Sequence, residues 1–139
     1  MVYVSRKEHF NAAHRLYNPA WSDEKNAEVF GPCANVNWHG HNFELTVTVK
    51  GHPHPDTGFV IDLKKLSGLI KQEIIEKVDH KNLNLDVAFM QGKIASCEVF
   101  VMEIWKILAP KITEIAPNAQ LHHLHLVETP KNFVDYYGE

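Results

Sequence analysis

Cys33-Ala34-Asn35-Val36-Asn37-Trp38-His39-Gly40-His41-Asn42-Phe43-Glu44-Leu45-Thr46-Val47-Thr48-Val49 is the stretch from which the fold is read. Apolar Phe43, Leu45, Val47 and Val49 alternate with polar residues, the period of a strand with one buried face. The pattern predicts a strand over 42–50. In an extended chain, side chains two apart point the same way. His39 and His41 therefore bring both imidazoles to one face where the strand opens. Two imidazoles on one face make half of a zinc site. Cys33 adds a thiol six positions before them.

Working outward, residues 2–10 are β-rich and alternate enough to be a strand. Residues 11–38 hold Pro19, Gly31, Pro32 and several Asn. They read as a long excursion with a short helix over 22–30, Ser22 being its N-cap. Loops that long in a compact domain are usually functional. After the turn-rich 51–58, a brief strand is expected at 59–61. Asp62 then caps a helix whose apolar positions Leu63, Leu66, Ile70, Ile74 and Val78 recur at helical spacing. Asp79-His80-Lys81-Asn82 ends it, and 83–92 is a loop. Ser96 caps a second helix, expected to run to about Leu108 with a stripe of Val101, Met102, Trp105 and Leu108, before Pro110. Strands at 121–128 and 133–137 form a final hairpin. Segregated strands and helices predict an α+β fold, an antiparallel four-stranded sheet with two helices on one face. No linker or repeat interrupts residues 1–139, so one domain is expected. The open sheet edges favour a homo-oligomer.

Composition narrows the class. The chain has 139 residues, 45% apolar and 22% charged, with net charge −3. No apolar run is long enough for a membrane span, and the start lacks a secretory signal pattern. A cytoplasmic protein is the expectation. With no basic cluster, nucleic acid is not the expected partner. The two cysteines do not predict a disulfide in that setting. Ten histidines are the informative excess.

His-x-His alone is weak, because His123 and His125 repeat the spacing. That second pair sits inside Leu-His-His-Leu-His-Leu, where packing or a subunit contact is the expected role. His39 and His41 lie where a loop becomes a strand, the usual place for a site, and Gly40 between them allows close approach. His14 is the candidate third ligand, since a catalytic zinc takes three protein ligands and keeps one position open. Cys33 has three readings: a fourth ligand closing a structural site, a thiol acting as base or nucleophile, or an inert buried thiol. The irregular Gly31-Pro32 context favours the second. Asp79-His80 reads as an oriented imidazole or as a capping pair. Glu128, on the strand face of Leu124 and Leu126, needs a partner. A guanidine-like edge with two parallel N–H donors suits it.

These motifs together resemble the 6-pyruvoyl-tetrahydropterin synthase family, which includes the bacterial 6-carboxy-tetrahydropterin synthases. The resemblance rests on Phe10-Asn11-Ala12-Ala13-His14-Arg15-Leu16, Phe30-Gly31-Pro32-Cys33, His39-Gly40-His41-Asn42, Gly58-Phe59-Val60-Ile61-Asp62, Val78-Asp79-His80-Lys81-Asn82-Leu83-Asn84 and Val127-Glu128-Thr129. It implies that His14, His39 and His41 bind Zn2+, that Cys33 is the general base, and that Asp79 and His80 form its relay. It implies that Glu128 holds the pterin, with Ser96 and Glu98 as weaker substrate contacts. The implied fold is the tunnelling fold (T-fold), whose domains close a barrel. The usual assembly is a hexamer of two trimers with sites at subunit interfaces. The implied reaction converts 7,8-dihydroneopterin triphosphate to 6-pyruvoyl-tetrahydropterin with elimination of triphosphate. The alternative product is 6-carboxy-tetrahydropterin, released with acetaldehyde on the way to queuosine and other 7-deazaguanines. Five residues between Cys33 and His39 resemble the animal pyruvoyl enzymes; the compact N-terminus resembles the bacterial ones. Cys97 stands where the family has a hydroxyl residue. Two other readings are a different aldolase or hydrolase on the same scaffold and a structural Cys-His₃ zinc module.

Overall fold

β2 (His39–Gly51) is the spine of the molecule, longer than the expected 42–50 because His39 and Gly40 already pair with β1 (Val2–His14). The computed structural model describes residues 1–139. β1 and β2 are antiparallel along their full length, from Val2 opposite Gly51 to His14 opposite His39. β1 thus runs four residues past the expected end at residue 10. Asn11, Ala12 and Ala13 have little strand propensity, and the ladder to β2 carries them.

The sheet has five strands, not four, in the order β3-β1-β2-β4-β5. The addition is β3 (Lys81–Asn82), which lies parallel to β1 beside Ala12 and Ala13. Two residues are too few to leave a periodic signature. The expected hairpin is present as β4 (Ala119–Thr129) and β5 (Asn132–Tyr136). Residues 59–61 form no strand. The β2–β4 register shifts between Thr48 and Val49, which face His123 and Leu121, so His122 is an extra residue. A second shift lies between Val127 and Thr129, at Glu128.

α1 (Asp23–Phe30) begins as read, with Ser22 Oγ accepting the Lys25 N–H at 3.1 Å. Asp62 caps α2 (Leu63–Ile70). The same helix widens through a π turn (Lys71–Ile75) and closes with α3 (Glu76–Val78). Leu66, Ile70, Ile74 and Val78 are fully buried, whereas Leu63 is exposed. α4 (Cys97–Ile115) outruns its expected end, with Pro110 inside it. Proline removes one backbone donor and strains a helix by about 3 kcal/mol. Burial of Leu108 and Ile112 on either side outweighs that cost. The buried stripe is Phe100, Val101, Ile104, Leu108 and Ile112. Met102 faces out, and Trp105 packs only at the margin.

The helices pack against one face of the sheet. Phe10 and Ala12 of β1, Phe43, Leu45, Val47 and Val49 of β2, and Leu121, Leu124 and Leu126 of β4 supply that face. At its centre Phe10 stacks on Phe43 (5.0 Å between ring centroids), and Phe100 meets both edge-on. The opposite face is polar, with Ser5 and Thr48 joined at 2.8 Å. No helix is long and apolar enough to cross a membrane.

Candidate functional site

Position along the strands decides which way the key histidines point. His14 has the parity of Phe10 and Ala12, and His39 and His41 have that of Phe43, so all three lie at the end of the helix-covered face. His14 stands opposite His39, and His41 opposite the small Ala12. The ring centroids are 4.6 Å (His14–His39), 5.2 Å (His14–His41) and 4.9 Å (His39–His41) apart. Phe43 lies beneath His14 and His41, both edge-on to it, so the aromatic core is the floor of the site. A Cβ on Gly40 would meet Ala12 O at 3.4 Å, a contact its own chain tolerates. Gly40 instead borders the grooves on the other side of the strand.

Glu128 joins the three histidines. Its Oε1 lies 2.9 Å from His41 Nε2 and 3.9 Å from His14 Nε2. Its Oε2 accepts the Cys97 S–H at 2.8 Å. Bulges often re-aim side chains beside sites, and Glu128 sits at one. The donor atoms of His14, His39, His41 and Glu128 lie within 4.8 Å of one another, a set that could hold a metal ion. His14 Nε2 and His39 Nδ1 are buried without a hydrogen bond, while buried His41 Nε2 has Glu128 Oε1 at 2.9 Å as its counterpart. An unsatisfied buried group costs about 1–3 kcal/mol, and one ion would satisfy both unpartnered nitrogens.

The electrostatics agree with that use. Burial lowers the pKa of His14, and then of His39, below the usual imidazole value. Neutral imidazole is the ligating form. His14 Nδ1 donates to Ala95 O at 2.7 Å, which turns the Nε2 lone pair toward the cluster, as outer-shell carbonyls do at metal sites. Cys97 is buried, and burial followed by the Glu128 carboxylate pushes its thiol far up, with Cys33 adding to the effect. It is a neutral donor.

Cys33 lies in a 3₁₀ turn (Gly31–Ala34), half-buried, its carbonyl held by Leu16 N–H at 2.7 Å. Asp79 and His80 lie at the β3 edge of the sheet, next to Asn11 of β1. Asp79 Oδ1 accepts the Asn11 N–H at 2.9 Å and sits 3.0 Å from His80 Nδ1. The Asn11 N–H is the main reason the Asp79 carboxyl stays below its usual range. His80 is not a helix cap. It has φ +60 and donates its own N–H to Asn11 O, and its ring is 77% exposed. No hydrogen bond or ion pair joins Cys33 to Asp79 or His80 within the chain. A groove of about 790 Å³ places Asp79 and Glu128 in one wall with His41 and Gly40, and His80 lines the adjoining one. Ser96 Oγ accepts the Val99 N–H as the cap of α4. Glu98 is exposed beside Glu128 and Lys131. Sequence spacing gave no sign that Glu128 touches the histidines or that Cys97 holds it, since both are long-range contacts.

The family model of 6-pyruvoyl tetrahydropterin synthase matches residues 3–139. The 6-pyruvoyl tetrahydrobiopterin synthase of Homo sapiens is 38% identical over 136 residues, covering 98% of this chain and 91% of the human protein. That of Dictyostelium discoideum is 36% identical over 138 residues, covering 99% and 97%. The solved structure of Caenorhabditis elegans 6-pyruvoyl tetrahydropterin synthase superposes with a TM-score of 0.87 at 34% identity, covering 99% of this chain and 96% of that one.

Proposed function

The chain belongs to the 6-pyruvoyl tetrahydropterin synthase family, and on that premise we propose that it is a zinc-dependent carbon–oxygen lyase. Its substrate is 7,8-dihydroneopterin triphosphate, and its products are 6-pyruvoyl-tetrahydropterin and triphosphate. The observation that carries this reading is the convergence of the imidazoles of His14, His39 and His41, in which buried His14 Nε2 and His39 Nδ1 have no hydrogen bond and His41 Nε2 faces Glu128 Oε1 at 2.9 Å, in a chain with synthase relatives.

His14, His39 and His41 hold the ion, and Glu128 is left for the substrate. Three imidazoles suit zinc among first-row metals. Bound there, zinc supplies Lewis acidity toward side-chain hydroxyls, making nearby C–H and O–H protons easier to remove. Glu128 offers its carboxylate to the two parallel N–H donors of the 2-amino-pyrimidinone edge, while the Cys97 thiol holds Oε2. Ser96 and Glu98 flank that end. Cys33, as thiolate, takes a carbon-bound proton. His80, oriented by Asp79, shuttles protons. Triphosphate departs with the C–O electron pair, and tautomerisation gives the pyruvoyl side chain. Electrons balance inside the substrate, so no external oxidant or reductant is needed. The separation of Cys33 from the Asp79–His80 edge favours a relay completed by a neighbouring subunit, in a cytoplasmic hexamer of two trimers.

Mass spectrometry of products from zinc-loaded protein and 7,8-dihydroneopterin triphosphate tests the reading. The expected products are pyruvoyl-tetrahydropterin and triphosphate. Intact substrate on a fully metallated protein would overturn the lyase assignment. A 6-carboxy product with acetaldehyde would place the enzyme in the 7-deazaguanine branch.

A further inference from the structure

The face of the sheet away from the helices carries a second convergence of ligand atoms. His123 and His125 stand two apart on β4, so their imidazoles leave the strand on the same side, opposite to that of Leu124, Leu126 and Glu128. Asp135 of β5 is the direct cross-strand partner of His125. One carboxylate oxygen serves both rings: Asp135 Oδ1 is 2.6 Å from His123 Nε2 and 2.7 Å from His125 Nδ1. The donor atoms of all three lie within 4.8 Å of one another.

We propose that His123, His125 and Asp135 form a second metal site, which takes a divalent first-row transition ion independently of the His14, His39 and His41 cluster. Two imidazoles and one carboxylate on one side of an ion, with the remaining positions open, form a donor set suited to such metals. The nitrogens that now face the carboxylate are the ones that would ligate, so binding replaces two N–H···O hydrogen bonds without turning either ring away. The rings are already held. Tyr137 stacks on His123 at 4.5 Å and 12°, and Phe133 packs against His125 at 4.9 Å. Such supports fix ligand orientation at metal sites. The Asp135 carboxyl is kept below its usual range: burial opposes this, but the hydrogen bonds from His125 and His123 prevail. Its side chain remains 39% exposed and the imidazoles 20% and 30%, so the ion has a path from solvent and room for water or an exogenous ligand.

The test is titration of the stripped, assembled protein with Co2+, followed by visible absorption and calorimetry. The expected result is two ions per chain, the second with a micromolar dissociation constant. Asp135→Asn, and separately His123→Gln with His125→Gln, should weaken the second ion at least about 100-fold, beyond the effect of outer-shell changes, and leave the first unchanged. These positions are partly exposed, and circular dichroism checks that each variant folds. His39→Ala should give the reverse pattern, keeping the second ion and losing the first. Saturation of the wild type at one ion per chain would overturn the proposal. So would a second ion that survives the double His variant, or one bound more weakly than about 1 mM. None of these outcomes depends on turnover.

Discussion

His39-Gly40-His41 and His123-Leu124-His125 have the same spacing, lie on adjacent strands of one sheet, and are chemically opposed. The first pair faces the helices, above Phe43, with His39 Nδ1 finding no hydrogen bond and His41 Nε2 turned to Glu128. The second faces away, with its two nitrogens on a single aspartate oxygen. Burial works against charge on His39; the outer pair holds a carboxylate ionised beside it. Spacing fixes only that two imidazoles share a side. Strand parity then decides which side, and that side decides whether the imidazoles gather over the aromatic core or share an aspartate within reach of solvent.

The sharpest way to break the contrast is to remove one ring from each pair. His39→Ala should lose the inner metal and lower turnover by on the order of 10³-fold or more, consistent with the share of catalysis a metal provides. His125→Gln should leave turnover within about threefold, because a partly exposed side chain outside the site contributes little to the chemical step. Metal analysis beside steady-state kinetics reads both. A large activity loss in the second variant would show that the two faces are coupled.

Next in size is Cys33→Ala. It should cut turnover by about 10²–10⁴-fold, the range for a lost general base, with zinc content unchanged. Loss of zinc from this variant would make Cys33 a ligand and the site a closed one. Chelation of the wild type should cost about 3 kcal/mol of stability at moderate ligand excess, seen as a fall in Tm of roughly 10 °C. The protein should stay folded, because its core is built without the ion. Unfolding on chelation would favour the structural-module reading.

A smaller effect separates the pairs by pH. In stripped protein, His14 and His39 have folded pKa values below the unfolded 6.5, so the unfolded chain binds more protons between those values. Stability should be full above pH 6.5 and fall as pH drops through the folded values. The depressed Asp135 carboxyl contributes stability that is full above its unfolded value of 3.8 and lost only below it. Denaturant titrations across pH 3–7 should show the upper step abolished by zinc and the lower step abolished by Asp135→Asn. The smallest signal is thiol labelling. Half-buried Cys33 should react with iodoacetamide while Cys97, buried and hydrogen-bonded to Glu128, stays inert.

The sequence made β2, all three helix caps and the final hairpin legible, because each writes a local signal: alternation, or Ser and Asp before a helical stripe. It hid whatever depends on a distant partner. β1 continues to His14 only because β2 runs beside it. β3 has two residues and no period. α4 crosses Pro110 because Leu108 and Ile112 are buried on either side. At the site, residue types and spacing pointed to His14, His39 and His41, and the fold brings them together. The meeting of Glu128 with His41 and Cys97 joins residues from three elements and has no local trace. Spacing assigns His123 and His125 to packing or a subunit contact and carries no sign of Asp135, which is ten positions from His125 in the chain and adjacent only across the hairpin.

The extra residue at His122 has a bearing on how the chain tolerates change in length. Leu121 pairs with Val49 and His123 with Thr48, so His122 stands outside the ladder to β2. Excising it would leave every later residue of β4 on its present side. Excising Leu124 would shift the phase of every later residue of the strand and exchange their faces. Glu128 would leave the inner imidazoles, and His125 would turn toward the core and away from His123. The His122-His123 step is therefore a point in this strand at which a single-codon deletion preserves both faces.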